Sequence, residues 1–260
     1  MRRILILASA AASWMLLVKG YAQAPSIREH LPFNSLTADS RTAANPGIWK
    51  EVIENHGSSA LVAFHSTFHC GEKGNVFYDH DPLYFYGRDK PISLKGSFEI
   101  GAADPAECPG SIDAAIFSDG HTEGNPFEVD AIFQRRRGIY EAIDSALTLL
   151  EDRVANKRTA LQVETSFSDL ESSANNDHTL SGPERLGMQM LFRRLRLTLK
   201  TNQGVLITPS DWTTVRQPTY DEIAAKQQIS MEQAQAIVIA KKLREWRADL
   251  EGFLSPGRPR

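Results

Sequence analysis

The sequence has little cysteine, no excess of positive charge and one long apolar run, and each shortage excludes something. Its two cysteines, Cys70 and Cys108, rule out a disulfide-dense scaffold and leave no compact Cys/His spacing for a structural zinc. The 29 basic side chains are outnumbered by 32 acidic ones, so nothing in the charge balance invites nucleic acid. No G-x-S-x-G elbow, G-x-x-x-x-G-K-[ST] phosphate loop or G-x-G-x-x-G fingerprint occurs, and no Asn-x-Ser/Thr glycosylation acceptor. No catalytic residue can therefore be named from motif, and neither a cofactor nor a bound metal is expected.

The one apolar run lies at the start. Arg2 and Arg3 precede a charge-free stretch from Ile4 to Val18, and Lys19-Gly20-Tyr21 then leads to the small-residue triplet Ala22-Gln23-Ala24. That is the three-part layout of a secretory signal, with cleavage expected after Ala24. Fifteen helical residues rise only about 22 Å, short of the roughly 30 Å hydrocarbon core, which argues against a permanent anchor. Residues 1–24 are read as a signal peptide, and an exported location, periplasmic or secreted, follows. No later run is long enough to give a stable transmembrane span. Without Arg2, Arg3 and Lys19 the chain keeps 26 basic and 32 acidic side chains, a net charge near −6.

Export also bears on the cysteines. An even count in an oxidising compartment suggests a Cys70–Cys108 disulfide. Closing a loop of about 39 residues would contribute roughly 4 kcal/mol on the chain-entropy account.

The remainder has two textures. After an N-terminal extension, residues 25–45, the stretch 46–124 is a series of short β-like runs broken by Gly, Pro, Asn and Asp. Residues 92–100 alternate apolar and polar; Ile48 to Glu54 and Ala60 to Cys70 flank Asn55-His56-Gly57-Ser58 and are expected to pair as a hairpin. Val62, Phe64, Phe68 and Cys70 should share one face of the second strand, and Ala63, His65, Thr67 and His69 the other. Val76 to Tyr78, Leu83 to Tyr86 and Ala114 to Phe117 complete six or seven strands. Their number and spacing predict a small antiparallel β-sandwich of immunoglobulin-like architecture, without the Cys-Trp-Cys signature of a true immunoglobulin domain.

Residues 125–254 read as helical, so the fold class is α+β. Asn125-Pro126-Phe127-Glu128 combines an N-cap, a first-turn proline and a glutamate three residues after the cap. An apolar stripe from Val129 to Val154 follows, with Gly138 weakening its middle. Lys157 to Ser173 continues as helix, Ser173 to Ser181 as a connection. Pro183 opens a helix whose buried positions are expected at Leu186, Met190, Leu191, Leu195 and Leu199. Thr219-x-x-Glu222 and Ser230-x-x-Gln233 are capping boxes, the second opening a helix that carries Ile237, Val238, Leu243, Trp246 and Leu250. Residues 255–260 form a tail. The basic triplets at 135–137 and 193–196 and the cluster at 241–247 are expected on solvent faces.

Histidine offers the most tempting chemistry. His65 and His69 lie four residues apart on a strand, roughly 13 Å, too far to share one ion. His65, His80 and His121 could still converge in the fold, which would suit an exported hydrolase or a metal-binding protein. Otherwise they are polar residues on a solvated sheet face and its loops. The loop 118–124 concentrates Asp119, His121 and Glu123 between a strand and a capped helix, and loops at such junctions often carry function. The leading expectation is an exported, non-catalytic binding or assembly module, its partner another exported or cell-envelope protein.

Overall fold

Alternating apolar side chains organise the first half of the chain into antiparallel strands, and a 3.6-residue period organises the rest into helices. The computed structural model describes residues 33–42, 49–69, 74–84, 97–102, 110–201 and 219–256. Among these described residues seven strands come first: β1 (Leu36–Thr42), β2 (Trp49–Asn55), β3 (Leu61–His69), β4 (Asn75–His80), β5 (Ser97–Ala102), β6 (Gly110–Phe117) and β7 (Thr122–Gly124). Five helices follow, again among the described residues alone: α1 (Pro126–Val154), α2 (Ala160–Asn176), α3 (Gly182–Thr201), α4 (Tyr220–Gln227) and α5 (Met231–Glu251). The fold is α+β. One sheet has the order β1-β2-β5 and the other β4-β3-β6-β7, with every pairing antiparallel.

The expected hairpin between the second and third runs does not form. β2 pairs with β1 and β5, whereas β3 pairs with β4 and β6, so residues 56–60 carry the chain from one sheet to the other. Asn55 shapes that passage: its amide donates to Ser59 O at 2.9 Å and its Oδ1 accepts from Gly57 N at 3.0 Å. Such side-chain-to-backbone bonds compete with the two-residue hairpin turn. The passage also puts Ile53 of β2 and Leu61, Phe64 and Phe68 of β3 into one apolar cluster, completed by Leu36, Ile112, Ala115 and Phe117.

β3 departs from plain alternation. Register shifts interrupt its pairing with β6 between Leu61 and Ala63 and between His65 and Ser66. A bulge of this kind re-aims the residues beside it. Val62 consequently joins Ala63 rather than Phe64, in a cluster with Ala114, Ile116 and, from α1, Val129, Ile132 and Phe133. Neither face of β3 is solvated, since Leu61 to Phe68 are all buried. Leu83 and Tyr84, expected in a strand, occupy a turn after β4 and insert into the helical core. Ile92 to Gly96 lie outside the described residues, as do Cys70, Cys108 and the bridge expected between them. β1 precedes the first position at which a strand was expected.

α1 is the element that joins the two halves. At 29 residues it is about 43 Å long. Its first turns cover the β3–β6 face, and Ile139, Ile143, Ala146 and Leu150 further along belong to the helical core with Phe167, Leu191, Leu195, Leu243 and Trp246. Gly138 does not weaken it. A Cβ there would lie 2.0 Å from the Glu184 carbonyl oxygen, and one at Gly187 would lie 2.1 Å from the Arg135 carbonyl oxygen. The two glycines let α1 and α3 touch backbone to backbone.

Caps fix the helix starts. Asn125 Oδ1 accepts from Phe127 N at 2.9 Å, Thr219/Glu222 and Ser230/Gln233 close their capping boxes, and Thr159/Gln162 adds one the sequence reading passed over. α2 runs on to Asn176, three residues into the expected connection. In α5, Ile239 takes the fully buried place and Ile237 and Val238 sit at intermediate depth. Leu186 of α3 is not buried but 47% exposed.

Candidate functional site

The cap of α1 frees a carboxylate for other work. Asn125 N bonds to Asp113 O at 2.6 Å, so Glu128 does not close the expected capping box. Its Oε2 lies instead 3.9 Å from His65 Nε2. Strand register delivers the remaining partners: His65 stands opposite Asp79 on β4 and close to Asp113 on β6. His65 Nδ1 is 2.7 Å from Asp79 Oδ1, and Nε2 is 4.0 Å from Asp113 Oδ2. Arg135 grips Asp79 with two bonds of 2.8 Å. Asp113 accepts from Ser111 Oγ at 3.0 Å and from Thr67 Oγ1. His65 is thus held in a cage of three carboxylates under α1, only 8% exposed, with the ring of the half-exposed Phe77 stacked 5.7 Å away.

Asp79 is the anchor of this cage. Burial raises its pKa, but the His65 hydrogen bond and the Arg135 charge outweigh burial and hold it below the ordinary carboxylate value. Two residues on, Asp81 makes a second clamp: Arg136 donates to it at 2.9 and 3.0 Å, both side chains fully buried, and Leu83 N donates to it at 2.9 Å. The Arg136 guanidinium lies between the Phe133 and Phe253 rings. Arg137 reaches Glu184 at 3.4 Å and Leu254 O at 3.1 Å. The triplet expected on a solvent face therefore fastens α1 to three different elements, because successive helical positions point about 100° apart.

The three histidines do not converge. His80 pairs with Phe64 in the register and stacks on its ring at 5.0 Å, on the opposite face of the sheet from His65. His121 lies beyond the end of β6, stacked on Phe117 at 4.0 Å. Among the described residues, no group of three or more His, Cys, Asp and Glu side chains is arranged to hold a metal ion.

The loop candidates do come together. His121 Nδ1 is 2.6 Å from Asp119 Oδ1, and its Nε2 is 3.8 Å from Glu123 Oε1. Ser59 Oγ donates to Asp119 at 2.5 Å; with the His121 contacts it pushes Asp119 down to about 2. Glu123 accepts from Asn34 N, Ser35 N and Ser35 Oγ, tying the start of the described chain to β7. These bonds close a turn and leave an exposed Asp–His pair.

The helical half carries a concave site that sequence reasoning missed. A cleft of about 380 Å³ opens beside α3, lined by Leu186, Met190 and Leu197 with Arg193, by Glu171 of α2, and by Tyr84. Burial raises the Tyr84 phenol to about 12, against the opposing charge of Arg135, whose guanidinium lies 5.3 Å from the ring centroid. The phenol remains protonated at neutral pH. The clue in the sequence was the width of α3's apolar content: Leu191, Phe192 and Leu195 already satisfy one core face, so Leu186 and Leu197 were surplus to it. No protein-family model, curated protein or solved structure matches the chain.

Proposed function

We propose that the protein is an exported binding or assembly module whose ligand enters the cleft on α3. The observation that carries this reading is the cleft itself. Its volume falls within the roughly 300–1,000 Å³ of small-ligand sites, and it combines aliphatic walls with a few polar groups. Export rests on the signal-like residues 1–24, and oxidation of Cys70 and Cys108 to a disulfide would follow in that compartment. We read the two sheets as a β-sandwich, supported by the cluster that Leu36 and Ile53 share with Leu61, Phe64 and Phe117. Among the described residues no helix is long and apolar enough to cross a membrane.

The neutral dye Nile red tests the binding reading. Mature protein should take it up at one saturable site, and a Leu186→Asp/Leu197→Asp variant, altered at two half-exposed positions, should not. Absence of saturable uptake by the wild-type protein would sink the reading.

A second reading, an exported hydrolase with His65 as proton-transfer group, is favoured by one arrangement: Nδ1 is oriented by an Arg-anchored Asp79 while Nε2 faces Asp113 and Glu128. It requires a hydrolytic activity abolished by His65→Gln in a protein of unchanged fold.

A further inference from the structure

From the pairing of aliphatic and guanidinium groups along one stripe of α3, we propose that the cleft binds a free single-chain amphiphile with an anionic head, a medium-chain carboxylate being the simplest case. The inference rests on the binding reading above and names its ligand class. Leu186, Met190, Arg193 and Leu197 occupy positions i, i+4, i+7 and i+11, one continuous face of the helix. Leu186 and Leu197 are 47% and 49% exposed and stand about 16 Å apart along the axis. A linear apolar chain laid along them would remove both from water, the main source of affinity for such a ligand.

The charge of the rim selects the head group. Glu171 is the cleft's acid, and it is engaged by Arg196 at 3.2 Å. Arg193 stands 4.0 Å from it with its side chain 69% exposed. Arg193 and Arg194 both line the cleft beside this one carboxylate, so the rim carries a surplus positive charge. A guanidinium offers a planar fork of donors that fits a carboxylate with two parallel bonds. A neutral amphiphile would forgo that pairing. A free molecule fits better than a bilayer surface, because the site is a concave cleft of about 380 Å³, the size of a small-ligand pocket.

The experiment titrates mature protein with dansyl-undecanoic acid and, separately, with its methyl ester, reading dansyl emission below the micelle threshold, and adds unlabelled dodecanoate as competitor. The acid should bind at one saturable site, be displaced by dodecanoate, and bind at least tenfold more tightly than the ester. Arg193→Glu should weaken the acid at least tenfold and leave the ester unchanged; Leu186→Gln should weaken both, each variant keeping the wild-type far-UV circular dichroism. Equal binding of acid and ester, or insensitivity to both variants, overturns the proposal. So does co-sedimentation with phosphatidylglycerol vesicles in preference to dodecanoate. If neither probe binds although Nile red does, the ligand class is wrong and the binding reading stands; if Nile red fails too, the reading itself falls.

Discussion

Removing the Arg136 guanidinium should be among the most damaging single changes available to this fold. Arg136 and Asp81 are 0% and 1% exposed, joined by bonds of 2.9 and 3.0 Å. In Arg136→Met the aliphatic replacement keeps the packing between Phe133 and Phe253, so the loss is chiefly electrostatic. Asp81 would keep the Leu83 N–H, at 2.9 Å, as a donor to its buried negative charge. Breaking a buried pair from one side costs about 3–5 kcal/mol, since the surviving ion loses its compensation. At about 1.4 kcal/mol per factor of ten, the folding equilibrium should fall by roughly a hundredfold to a few thousandfold. Adding Asp81→Asn should restore at least half of that loss, because the neutral amide can still accept from Leu83 N. Urea unfolding suits the measurement: buried Trp246 donates to Leu83 O at 2.7 Å and reports on this corner by fluorescence. A loss below about 1 kcal/mol in Arg136→Met, or a double variant no better than the single one, would refute the reasoning.

Three further outcomes are expected. Gly138→Ala and Gly187→Ala, ordinarily helix-stabilising by about 1 kcal/mol, should each destabilise by about 1–3 kcal/mol, because the new methyl meets the facing helix's backbone; a raised thermal midpoint in either would contradict the close crossing. Asp79, with its folded pKa lowered below 3.8, contributes stability that is fully present above that value and fades as pH falls through the folded value. Stability of Asp79→Asn, measured by urea unfolding between about pH 6 and pH 2, should fall less steeply with acid than that of the wild type. Mass spectrometry of exported protein should find an N-terminus at Pro25 and, in a non-reducing digest, a Cys70–Cys108 cross-linked peptide; a retained Met1 would defeat the first expectation and free thiols at both positions the second.

The fold class was legible because it depends on local patterns. Alternation marked β3 and most of β5, short apolar runs marked β4 and β6, and the Asn125-Pro126 start and the Thr219 and Ser230 boxes located three helices to within a residue or two. Pairing was not legible. Asn55-His56-Gly57-Ser58 has hairpin chemistry, yet Asn55 spends its amide on Ser59 and sends the chain to the other sheet. Nor could alternation survive the irregularity at Leu61/Ala63, which moves Val62 across the sheet. Arg135, Arg136 and Arg137 looked like surface charge because their partners, Asp79, Asp81 and Glu184, lie about fifty residues away and only folding brings them close. The α3 cleft was hidden for the opposite reason. Leu186 fits a buried stripe on spacing alone, and what decides its exposure is the backbone contact at Gly138 and Gly187 that fixes how α3 is rotated.

The central claim, a ligand cleft on α3, can be tested at one methyl group. With residues 1–24 removed the chain retains three methionines, Met188, Met190 and Met231, of which Met190 alone lines the cleft. In protein labelled with ¹³C-methyl methionine, dodecanoate added below its micelle threshold should shift the Met190 resonance saturably and leave that of Met231, at the start of α5, in place. A Met190 resonance that does not move, or a shift centred on Met231, would contradict the account.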